Sequence, residues 1–518
     1  MMQTSDAHVV IVGAGPGGLG AAMLAASAGL RVTLVETRDR VGGRTSTFEQ
    51  DGFRFDLGPT FFLYPEALRS LFRLCGLRLD DTIDLLRVDP HYRLVFGGDT
   101  SLDVTPDPDE MVRRIARIAP QDAASFKRFL ADNRRKLSKA TPILQQPFSS
   151  ARDLLRIPLW DLLTVMRPWA SVDADLRNYF EDPRIRLAFS FQSKYLGMSP
   201  FKCPSLFTIL SFMEYEYGIY HPRGGCGALS QVMADLAVAM GVDLRLGTTV
   251  TGLDLDGRRV KAVETDRGSL PCDALVINAD FAHAVRRLVP NHLRRRWSDQ
   301  KLERKKYSCS TFMMYLGLEG EVDLPHHSIH LAEDYRRNLA DIENDRRLSE
   351  DPSFYICNPV VTDPTMAPEG CTSLYVLVPV PHRTEGIDWR RDLEPFRTKM
   401  MAKLQDIGID DIEKRIRFEK IVTPLTWETD LNIHLGSTFS LAHTVGQLLH
   451  LRPQNRFEEL DGVFLVGGAT HPGSGLPVIY ESAKITTRLM AEDLGAPVDW
   501  TEQVEPPPEP LFHSVGGA

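Results

Sequence analysis

Hydrophobic and polar positions in the first 36 residues predict a compact βαβ unit. A run of apolar β-branched residues at 9–12 is followed by a glycine-rich turn and by a small-residue helix at 19–28. A second apolar run, residues 32–35, ends at Glu36. Because strands buried on both faces read as continuous apolar runs, this order predicts two parallel strands joined by a helix.

Three glycines occupy the turn at Gly13, Gly15 and Gly18, with the spacing G-x-G-x-x-G. Between a strand and a helix this spacing is typical of dinucleotide binding, because the glycines permit a tight turn, approach of the backbone to a pyrophosphate and close packing of helix on strand. The helix N-terminus favours phosphate. Glu36 is placed to accept hydrogen bonds from ribose hydroxyls and would repel a 2′-phosphate. The pattern predicts FAD or NAD rather than NADP; a tight turn in another α/β protein is the alternative.

The residues after Glu36 decide between the two dinucleotides. Residues 41–45 read VGGRT and contain the pair Gly42 and Gly43 followed by Arg44. This stretch resembles the one that runs along the pyrophosphate in FAD enzymes of the glutathione-reductase and amine-oxidase type. We therefore predict non-covalently bound FAD.

The pattern of the remaining chain predicts several parts. Strand and turn signals predict a hairpin at residues 88–103, and a helical pattern, which Asp107 can cap at its start, fills residues 107–217. A further helix is predicted at 230–240. The tail after Pro497 has the composition of a disordered end. The predicted parts are a discontinuous FAD-binding domain (1–85, 220–305 and 455–495), a sheet-based substrate domain (86–106 and 306–454), a helical domain (107–219) and a flexible tail (496–518).

Two stretches of the helical region are unusually apolar, residues 155–169 and residues 201–217. One interpretation is packed core between helices. The other is a membrane-surface patch or the mouth of a lipid tunnel, because Trp160 and Trp169 beside arginines suit the depth of lipid headgroups. Both interpretations stay open at this point.

Composition narrows the class of protein. The chain has 518 residues, 43% of them hydrophobic, and a net charge of −9, which argues against a nucleic-acid partner. Its seven cysteines form no C-x-x-C pair, and we expect no secretory signal, so reduced thiols in the cytoplasm fit best. No uncharged apolar run reaches the roughly 18 residues of a spanning helix. Any membrane association is expected to be peripheral.

Three histidines lie close together in the sequence and could in principle bind a metal ion. His326, His327 and His330 form an H-H-x-x-H pattern. We expect no metal there, because no nearby cysteine or carboxylate completes a ligand set at close sequence spacing.

The C-terminal segment, residues 461–484, predicts a return of the chain to the first βαβ unit. An apolar strand at 463–466 ends in Gly467 and Gly468, and a glycine-rich loop precedes a helix that starts at Val478. We expect the N-terminus of this helix to point at the flavin, where its dipole favours negative charge.

Taken together, these motifs resemble the bacterial-type phytoene desaturases of the carotenoid and retinoid oxidoreductase family, FAD-dependent flavoproteins similar to amine oxidases. The resemblance extends from residue 9 to about residue 489 and rests on these motifs: VIVGAGPGGL, ETRDRVGGRTST, DGFRFDLGPT, YHPRGGCGAL, INAD, LPHHSIH, TDPTMAPEGCTSLYVLVPVPH and LVGGATHPGSGLPVIYESAK. It implies an α/β fold: a Rossmann-type, glutathione-reductase-like FAD-binding domain, a sheet-based substrate domain and a helical, membrane-facing insertion.

The resemblance also implies an activity. Such enzymes remove hydrogen across C–C single bonds of a long isoprenoid such as phytoene or dehydrosqualene in a hydrophobic tunnel, at the cytoplasmic membrane. Electrons then pass to oxygen or a quinone. The expected cofactor-binding residues are Gly13, Gly15, Gly18, Glu36, Gly42, Gly43, Arg44, Gly58, Pro59, Thr60, Val250, Gly467, Gly468, Gly475, Leu476 and Pro477.

The loop after Gly473 departs from the commonest pattern of the family. Its Tyr480 and Glu481 would place a phenol and a carboxylate near the reacting end of the tunnel. Related enzymes act on thirty-carbon chains, on hydroxylated carotenoids, or as oxidases or ketolases on terminal methyl groups. Glu481 is the candidate catalytic residue, and the alternative is that it only pairs with Lys484.

Two other classes of function compete with a desaturase. One is a flavin amine oxidase for polar substrates, which shares the first 45 residues of the pattern. The other is a non-catalytic carrier of isoprenoids built on the same nucleotide fold. The apolar stretches argue against the first, and the glycine-rich C-terminal loop argues against the second.

Overall fold

The computed structural model describes residues 6–98, 100–161, 167, 169–496, 498 and 500. The predicted flexible tail lies almost wholly outside these residues, as does part of the apolar stretch at 155–169. Among the described helices, none is both long and apolar enough to span a bilayer.

The strands of the described residues are, in chain order, β1 (His8–Val12), β2 (Arg31–Val35), β3 (Thr47–Gln50), β4 (Phe53–Asp56), β5 (Phe62–Leu63), β6 (Leu85–Arg87), β7 (Tyr92–Val95), β8 (Ser101–Val104), β9 (Ile219–Pro222), β10 (Asp243–Arg245), β11 (Val250–Asp256), β12 (Arg259–Thr265), β13 (Gly268–Pro271), β14 (Ala274–Ile277), β15 (Ser310–Glu319), β16 (His327–His330), β17 (Phe354–Cys357), β18 (Cys371–Val380), β19 (Ile416–Val422) and β20 (Val463–Leu465).

The α-helices of the described residues are α1 (Pro16–Ser27), α2 (Glu66–Leu74), α3 (Pro108–Ile118), α4 (Ser125–Leu144), α5 (Leu159–Asp161), α6 (Val172–Leu176), α7 (Pro183–Ala188), α8 (Ile209–Tyr217), α9 (Cys226–Ala239), α10 (Phe281–Leu288), α11 (Asp299–Glu303), α12 (Tyr335–Ala340), α13 (Trp389–Asp406), α14 (Ile412–Arg415), α15 (Pro424–Leu431) and α16 (Leu476–Asp493).

A five-stranded parallel sheet, in the order β10-β2-β1-β14-β20, confirms the predicted βαβ unit and the return of the C-terminal segment. In β1, Val9 is opposite Val32 of β2 and Ala274 of β14. The apolar runs of β1 and β14 are buried on both faces, as expected of central parallel strands. Helices α1, α9 and α16 contribute to the hydrophobic core on one face, and α10 to the core on the other.

The second large sheet is mixed and has seven strands, in the order β19-β15-β18-β17-β16-β7-β8. Its longest strands, β15 and β18, pair antiparallel from Ser310↔Val380 to Glu319↔Cys371. The predicted hairpin at residues 88–103 is confirmed as β7 and β8, and β7 joins β16 in parallel. The chain thus leaves this sheet after β8 and returns to it at β15, after the helical region and strands β9–β14.

Helices dominate residues 107–217, as predicted. Asp107 caps α3, since its carboxylate accepts hydrogen bonds from the backbone N–H groups of Asp109 and Glu110 at 2.9 and 3.1 Å. Helix α8 is almost entirely buried, so the stretch at 201–217 belongs to the core. The described part of the stretch at 155–169 is different, because Leu155, Trp160 and Trp169 are 87%, 73% and 63% exposed. The core interpretation is wrong for these three residues.

Some helix boundaries differ from the predicted ones by up to one turn. The helix predicted at 230–240 begins at Cys226, because Gly225 adopts φ +88° and lets the chain enter the helix earlier. The C-terminal helix begins at Leu476 rather than at Val478, directly after Gly475, whose φ is +112°. Helix α1 begins at Pro16, a residue type favoured in the first turn.

Candidate cofactor and substrate cavity

A cavity of about 920 Å³ connects the parallel sheet, the mixed sheet and the helical region. Its volume falls in the range of cofactor and ligand sites, which are concave and mostly apolar with a few placed polar groups. At one end it is lined by the glycine turn after β1, and at the other by side chains of α4 and α8.

The glycine turn after β1 forms the nucleotide end of the cavity. The N–H of Gly13 donates to the carbonyl of Val35 at 2.8 Å, and a Cβ on Gly13 would lie 2.3 Å from the carbonyl oxygen of Asn278. Gly15 precedes α1 with no side-chain cap, so the first N–H groups of this helix face the cavity without a protein acceptor from a cap. This end is therefore suited to phosphate.

Glu36 lines the same end, at the carboxyl end of β2. Its carboxylate accepts hydrogen bonds from the N–H groups of Ala14 and Arg38 at 2.8 and 3.0 Å. These bonds fix the carboxylate beside the turn and leave each oxygen a second lone pair for a hydroxyl donor. The position agrees with the predicted contact to a ribose.

The second glycine pair lies against the first turn. Gly42 adopts φ +100° and its N–H donates to the carbonyl of Ala14 at 2.8 Å, while Gly43 lines the cavity. Gly58 also lines the cavity, and a Cβ there would lie 2.6 Å from the carbonyl oxygen of Arg44. The backbone segments lie so close together at Gly42 and Gly58 that neither position has room for a side chain.

Arg44 and Asp280 supply opposite charges to the cavity wall. The Arg44 guanidinium donates to the carbonyl of Thr438 at 2.5 Å. Burial lowers the pKa of Arg44, and the neighbouring Asp280 carboxylate opposes that shift. Asp280 caps α10 through one oxygen, which accepts from the N–H of His283 at 3.1 Å, and its other oxygen is buried with no hydrogen-bond partner. That oxygen is available to a hydroxyl donor of a ligand.

The C-terminal loop forms the next part of the wall. Gly475 precedes α16 without a side-chain cap, and the first residues of that helix line the cavity, as expected of a helix N-terminus aimed at a cofactor. His443, which sequence reasoning missed, accepts a hydrogen bond from the N–H of Ser474 at 3.1 Å. Burial lowers the pKa of His443, so the ring is neutral and can accept. Gly473 fits beside it, since a Cβ there would lie 2.8 Å from Nε2 of His443.

The structure brings most of the expected cofactor-binding residues together. The residues that line the cavity are Gly13, Gly15, Glu36, Gly43, Arg44, Gly58, Pro59, Thr60, Val250, Gly467, Gly468, Gly475, Leu476 and Pro477. Gly18 and Gly42 are not part of the lining. Both allow close packing behind the lining instead. A Cβ on Gly18 would lie 2.0 Å from the carbonyl oxygen of Gly13, and one on Gly42 would lie 2.9 Å from the backbone of Ser46.

These features fit FAD. Two helix N-termini without caps, a fixed carboxylate, a partnerless oxygen of Asp280 and glycines at the points of closest approach suit a long dinucleotide with hydroxyl and phosphate groups. Beyond them the lining becomes apolar, through Phe207, Leu210 and Met213 of the helical region.

The apolar end of the cavity opens to the surface. Leu154, Val445 and Leu451 line it and are themselves 38%, 54% and 38% exposed, and we call these three residues the apolar rim. The two segments of the rim are held together where the amide of Gln454 donates to the carbonyl of Ser149 at 2.7 Å. The rim therefore presents apolar side chains at the surface of the cavity.

The two residues predicted near the reacting end differ in position. Glu481 lines the cavity, and its carboxylate pairs with the ammonium of Lys484 at 2.8 Å, which also donates to Ser70 at 3.2 Å. Tyr480 packs in the core beside Gly20 and does not line the cavity, so its predicted placement is wrong. Adjacent helix residues point about 100° apart, and the contact of α16 with α1 decides which one faces inward.

The histidine cluster is also placed differently from the expectation. His326 and His327 are buried, and Cys357 lies beside them on the neighbouring strand β17. The sequence argument considered only residues close along the chain, whereas strand pairing brings Cys357 beside His327 although the two are 30 residues apart. Tyr355 of the same strand lines the cavity and was missed as well.

Comparisons with known proteins agree with this site. The family described as flavin containing amine oxidoreductase matches residues 16–491. The 4,4′-diapophytoene desaturase (4,4′-diapolycopene-forming) of a Methylomonas species is 41% identical over 487 residues, covering 94% of this chain and 95% of the relative. The all-trans-zeta-carotene desaturase of Myxococcus xanthus is 40% identical with 94% of each chain covered, and the phytoene desaturase (lycopene-forming) of Pantoea ananas is 36% identical, covering 93% and 99%.

Solved structures show the same fold at lower sequence identity. Putrescine oxidase bound to putrescine superimposes with a TM-score of 0.61 at 16% identity, covering 95% of this chain and all 100% of that chain. An oxidoreductase from Methanosarcina mazei gives a TM-score of 0.60 at 16% identity, covering 94% and 100%. The cofactor is FAD, and the chain belongs to the flavin containing amine oxidoreductase family and, within it, to the carotenoid desaturases.

Proposed function

We propose that this protein is an FAD-dependent desaturase of carotenoid biosynthesis, which introduces C=C bonds into a long hydrophobic isoprenoid. The observation that carries the proposal is the continuity of one cavity from the dinucleotide-binding residues to the exposed apolar rim. A polyene has no polar group to anchor it, so an apolar channel that excludes water is the site it requires. The names of the relatives support the same substrate class.

The residues on the wall suggest how the chain would hold its cofactor. Glu36 would bind the ribose, and the N-terminus of α1 would bind the pyrophosphate. Arg44 would bind phosphate oxygen atoms, and Asp280 would accept a hydrogen bond from a hydroxyl group of the linker. When bound, FAD supplies two-electron oxidation by accepting a hydride as a C–C single bond becomes double. The N-terminus of α16 adds positive potential to this part of the cavity.

The proton lost from the neighbouring carbon needs an acceptor or an exit. Glu481 is the candidate, because it is a carboxylate on the cavity wall that is only 8% exposed. Its pairing with Lys484 supports the alternative of a structural ion pair. Comparing Glu481→Gln with Lys484→Met separates the two roles. Oxygen or a quinone would then reoxidise the cofactor.

We also propose that the helical part at 107–219 faces a membrane and that the chain associates with it peripherally. Leu155, Trp160 and Trp169, which we call the outer apolar patch, support this, since exposed leucine and tryptophan partition into the lipid interface. The discontinuous FAD-binding, substrate and helical parts predicted from the sequence remain our proposed domain division. A glutathione-reductase-like type for the first is supported by its parallel sheet and by the three-stranded β11-β12-β13 sheet.

Production of coloured polyenes tests the proposal. The chain is expressed in one host that makes phytoene and in another that makes dehydrosqualene, and pigments are extracted and separated. We expect a polyene with absorbance at longer wavelength from one precursor or both, because each new double bond extends conjugation. An oxygenated product would favour the ketolase alternative, and unchanged precursors in both hosts, with flavin bound to the protein, would contradict the proposal.

A further inference from the structure

A compact group of metal-ligating side chains lies behind the cavity wall. His326 immediately precedes β16, His327 is its first residue, and Cys357 is the last residue of β17. His327 and Cys357 are opposite each other in the antiparallel pair, so their side chains project to the same face. One ring nitrogen of each histidine and the sulfur of Cys357 all lie within 4.8 Å of one another.

Each histidine ring has one nitrogen held and the other without a partner. Nδ1 of His326 shares a hydrogen bond with the hydroxyl of Thr362 at 2.7 Å, and Nδ1 of His327 shares one with the hydroxyl of Tyr355 at 2.7 Å. Nε2 of both rings is buried and has no hydrogen-bond partner. A buried ring nitrogen left unpaired is costly, and a ring oriented through its other nitrogen is the usual state of a metal-binding histidine.

Both imidazoles and the thiol are uncharged before a metal ion binds. Burial lowers the pKa of His326 and His327, so both imidazoles are neutral, as ligands must be. Burial raises the pKa of the Cys357 thiol, and a bound metal ion would displace its proton. The carboxylates of Asp363 and Asp56 lie close enough to influence the pKa of His326 and Cys357 respectively.

We propose that His326, His327 and Cys357 form a zinc site, with one water molecule as fourth ligand. Bond lengths of about 2.0–2.3 Å in a tetrahedral site place ligand atoms roughly 3.3–3.8 Å apart, so side-chain rotations of about an ångström close the triad. Binding exchanges the S–H proton, which leaves to solvent, for a bond from sulfur to zinc.

The site would tie two strands together at the back of the cavity wall. Tyr355, which orients His327, and Thr60, which hydrogen-bonds Tyr355 at 2.7 Å, both line the cavity. His330, the third histidine of the sequence pattern, is not a ligand, because it lies three positions after His327 in β16 and its side chain therefore projects from the opposite face of the strand. The zinc would therefore act on the shape of the wall rather than on electron transfer.

Metal content of the untagged holoenzyme tests this site independently of pigment formation. The protein is loaded with Zn²⁺, passed over a weak chelator, and assayed for zinc and flavin in the same sample. We expect one zinc per chain, and a loss of about tenfold or more in Cys357→Ser and in His327→Gln with flavin retained. The matched controls Cys371→Ser and His330→Gln should hold as much zinc as the wild type.

A second measurement covers variants that fail to fold. X-ray absorption at the zinc edge of the wild-type protein should show one sulfur at about 2.3 Å and nitrogen or oxygen neighbours at about 2.0–2.1 Å. Cys357→His, which keeps a ligand at this position, should retain zinc. A wild type that keeps no zinc on the chelator, a spectrum without sulfur, or equal zinc in Cys357→Ser would overturn the proposal.

Discussion

At the scale of single residues, Glu214 shows how burial changes the behaviour of a carboxyl group. It lies in α8 within the helical core and accepts hydrogen bonds from Tyr92, Gln192 and Tyr195 at 3.0, 2.9 and 2.8 Å. Burial raises its pKa from 4.5 to about 7, and the hydrogen bonds only partly oppose that shift. The folded protein therefore keeps a proton that the unfolded chain has already released.

This difference predicts a pH-dependent stability. Between pH 4.5 and about 7 the folded state binds more protons at Glu214 than the unfolded state, so the free energy of unfolding falls as pH rises. The full loss is roughly 3 kcal/mol. Glu214→Gln mimics the protonated group and should lack this part of the decrease, measured by urea unfolding at pH 5 and pH 8. An identical pH dependence in both proteins would show that Glu214 does not titrate in this way.

Glu481 gives a second prediction at this scale. If its carboxylate accepts the proton, Glu481→Gln should slow reduction of the flavin by substrate by about tenfold or more under anaerobic stopped-flow conditions. Lys484→Met is the matched control, because it breaks the ion pair and keeps the carboxylate. Equal flavin reduction in wild type and Glu481→Gln, with a lower melting temperature in both variants, would assign the pair a structural role.

At the scale of secondary structure elements, sequence patterns correctly predicted the features that depend on residues close along the chain. The βαβ unit, the hairpin of β7 and β8 and the cap of α3 were confirmed because each depends on residues close in sequence. The pairing of His327 with Cys357 could not be predicted, since strand neighbours in the mixed sheet are set by the whole fold. The wrong placement of Tyr480 has a similar cause, because the rotation of α16 depends on its packing against α1.

The candidate site follows the same division. Gly13, Gly15, Glu36 and Arg44, predicted for its nucleotide end, belong to one continuous segment and line the cavity together, and their contacts with FAD stay a prediction. His443 and Tyr355 carry no motif in the sequence. They reach the wall only through strands and loops that lie far from the glycine turn along the chain. The apolar rim was not predicted, because the stretch considered as a tunnel mouth begins one residue after Leu154 and does not include Val445 or Leu451.

Two glycines of the turn before and within α1 should respond differently to substitution. A Cβ at Gly15 would meet only the side chain of Asn278, at 3.2 Å, and the carbonyl of Gly42, at 3.8 Å. Gly15→Val should therefore fold but purify without flavin, because its side chain occupies the place of the pyrophosphate. Gly18→Ala should lose both flavin and stability, since its Cβ would lie 2.0 Å from a backbone oxygen.

Flavin absorbance and circular dichroism of the purified variants check this pair. We expect Gly15→Val to melt close to the temperature of the flavin-free wild type. Gly18→Ala should melt well below both proteins. A yellow Gly15→Val protein would refute the placement of the pyrophosphate at this turn. Comparison with flavin-free wild type matters because bound ligand itself raises the melting temperature.

At the scale of the whole molecule, the cavity joins a charged nucleotide end to an apolar opening. The apolar rim and the outer apolar patch belong partly to the same segment, since Leu154 and Leu155 are adjacent. Exposed apolar groups next to an opening are typical of surfaces that contact lipid. The net charge of −9 gives no general attraction to anionic lipid, so in the proposed membrane association the patch would supply the affinity.

Vesicle binding tests the patch. The wild-type protein should float with phosphatidylcholine vesicles, and Leu155→Ser and Trp160→Ser should each lower the partition coefficient about tenfold, because a buried large apolar side chain contributes about 1.5–3 kcal/mol. Val361→Ser is the matched control, since Val361 is 56% exposed and does not line the cavity. Equal flotation of the Leu155 and Trp160 variants and the wild type would exclude this surface as the docking site.

The order of the strands in the parallel sheet has a consequence for the synthesis of the protein. The central strand β1 begins at residue 8, but the edge strand β20 is formed by residues 463–465 and is followed by α16. During translation the glycine turn therefore emerges from the ribosome long before Gly467, Gly475 and the N-terminus of α16, which complete the same site. The nascent chain therefore keeps an unpaired edge on this sheet until then, and we expect it to retain flavin only after nearly all of its residues have been made.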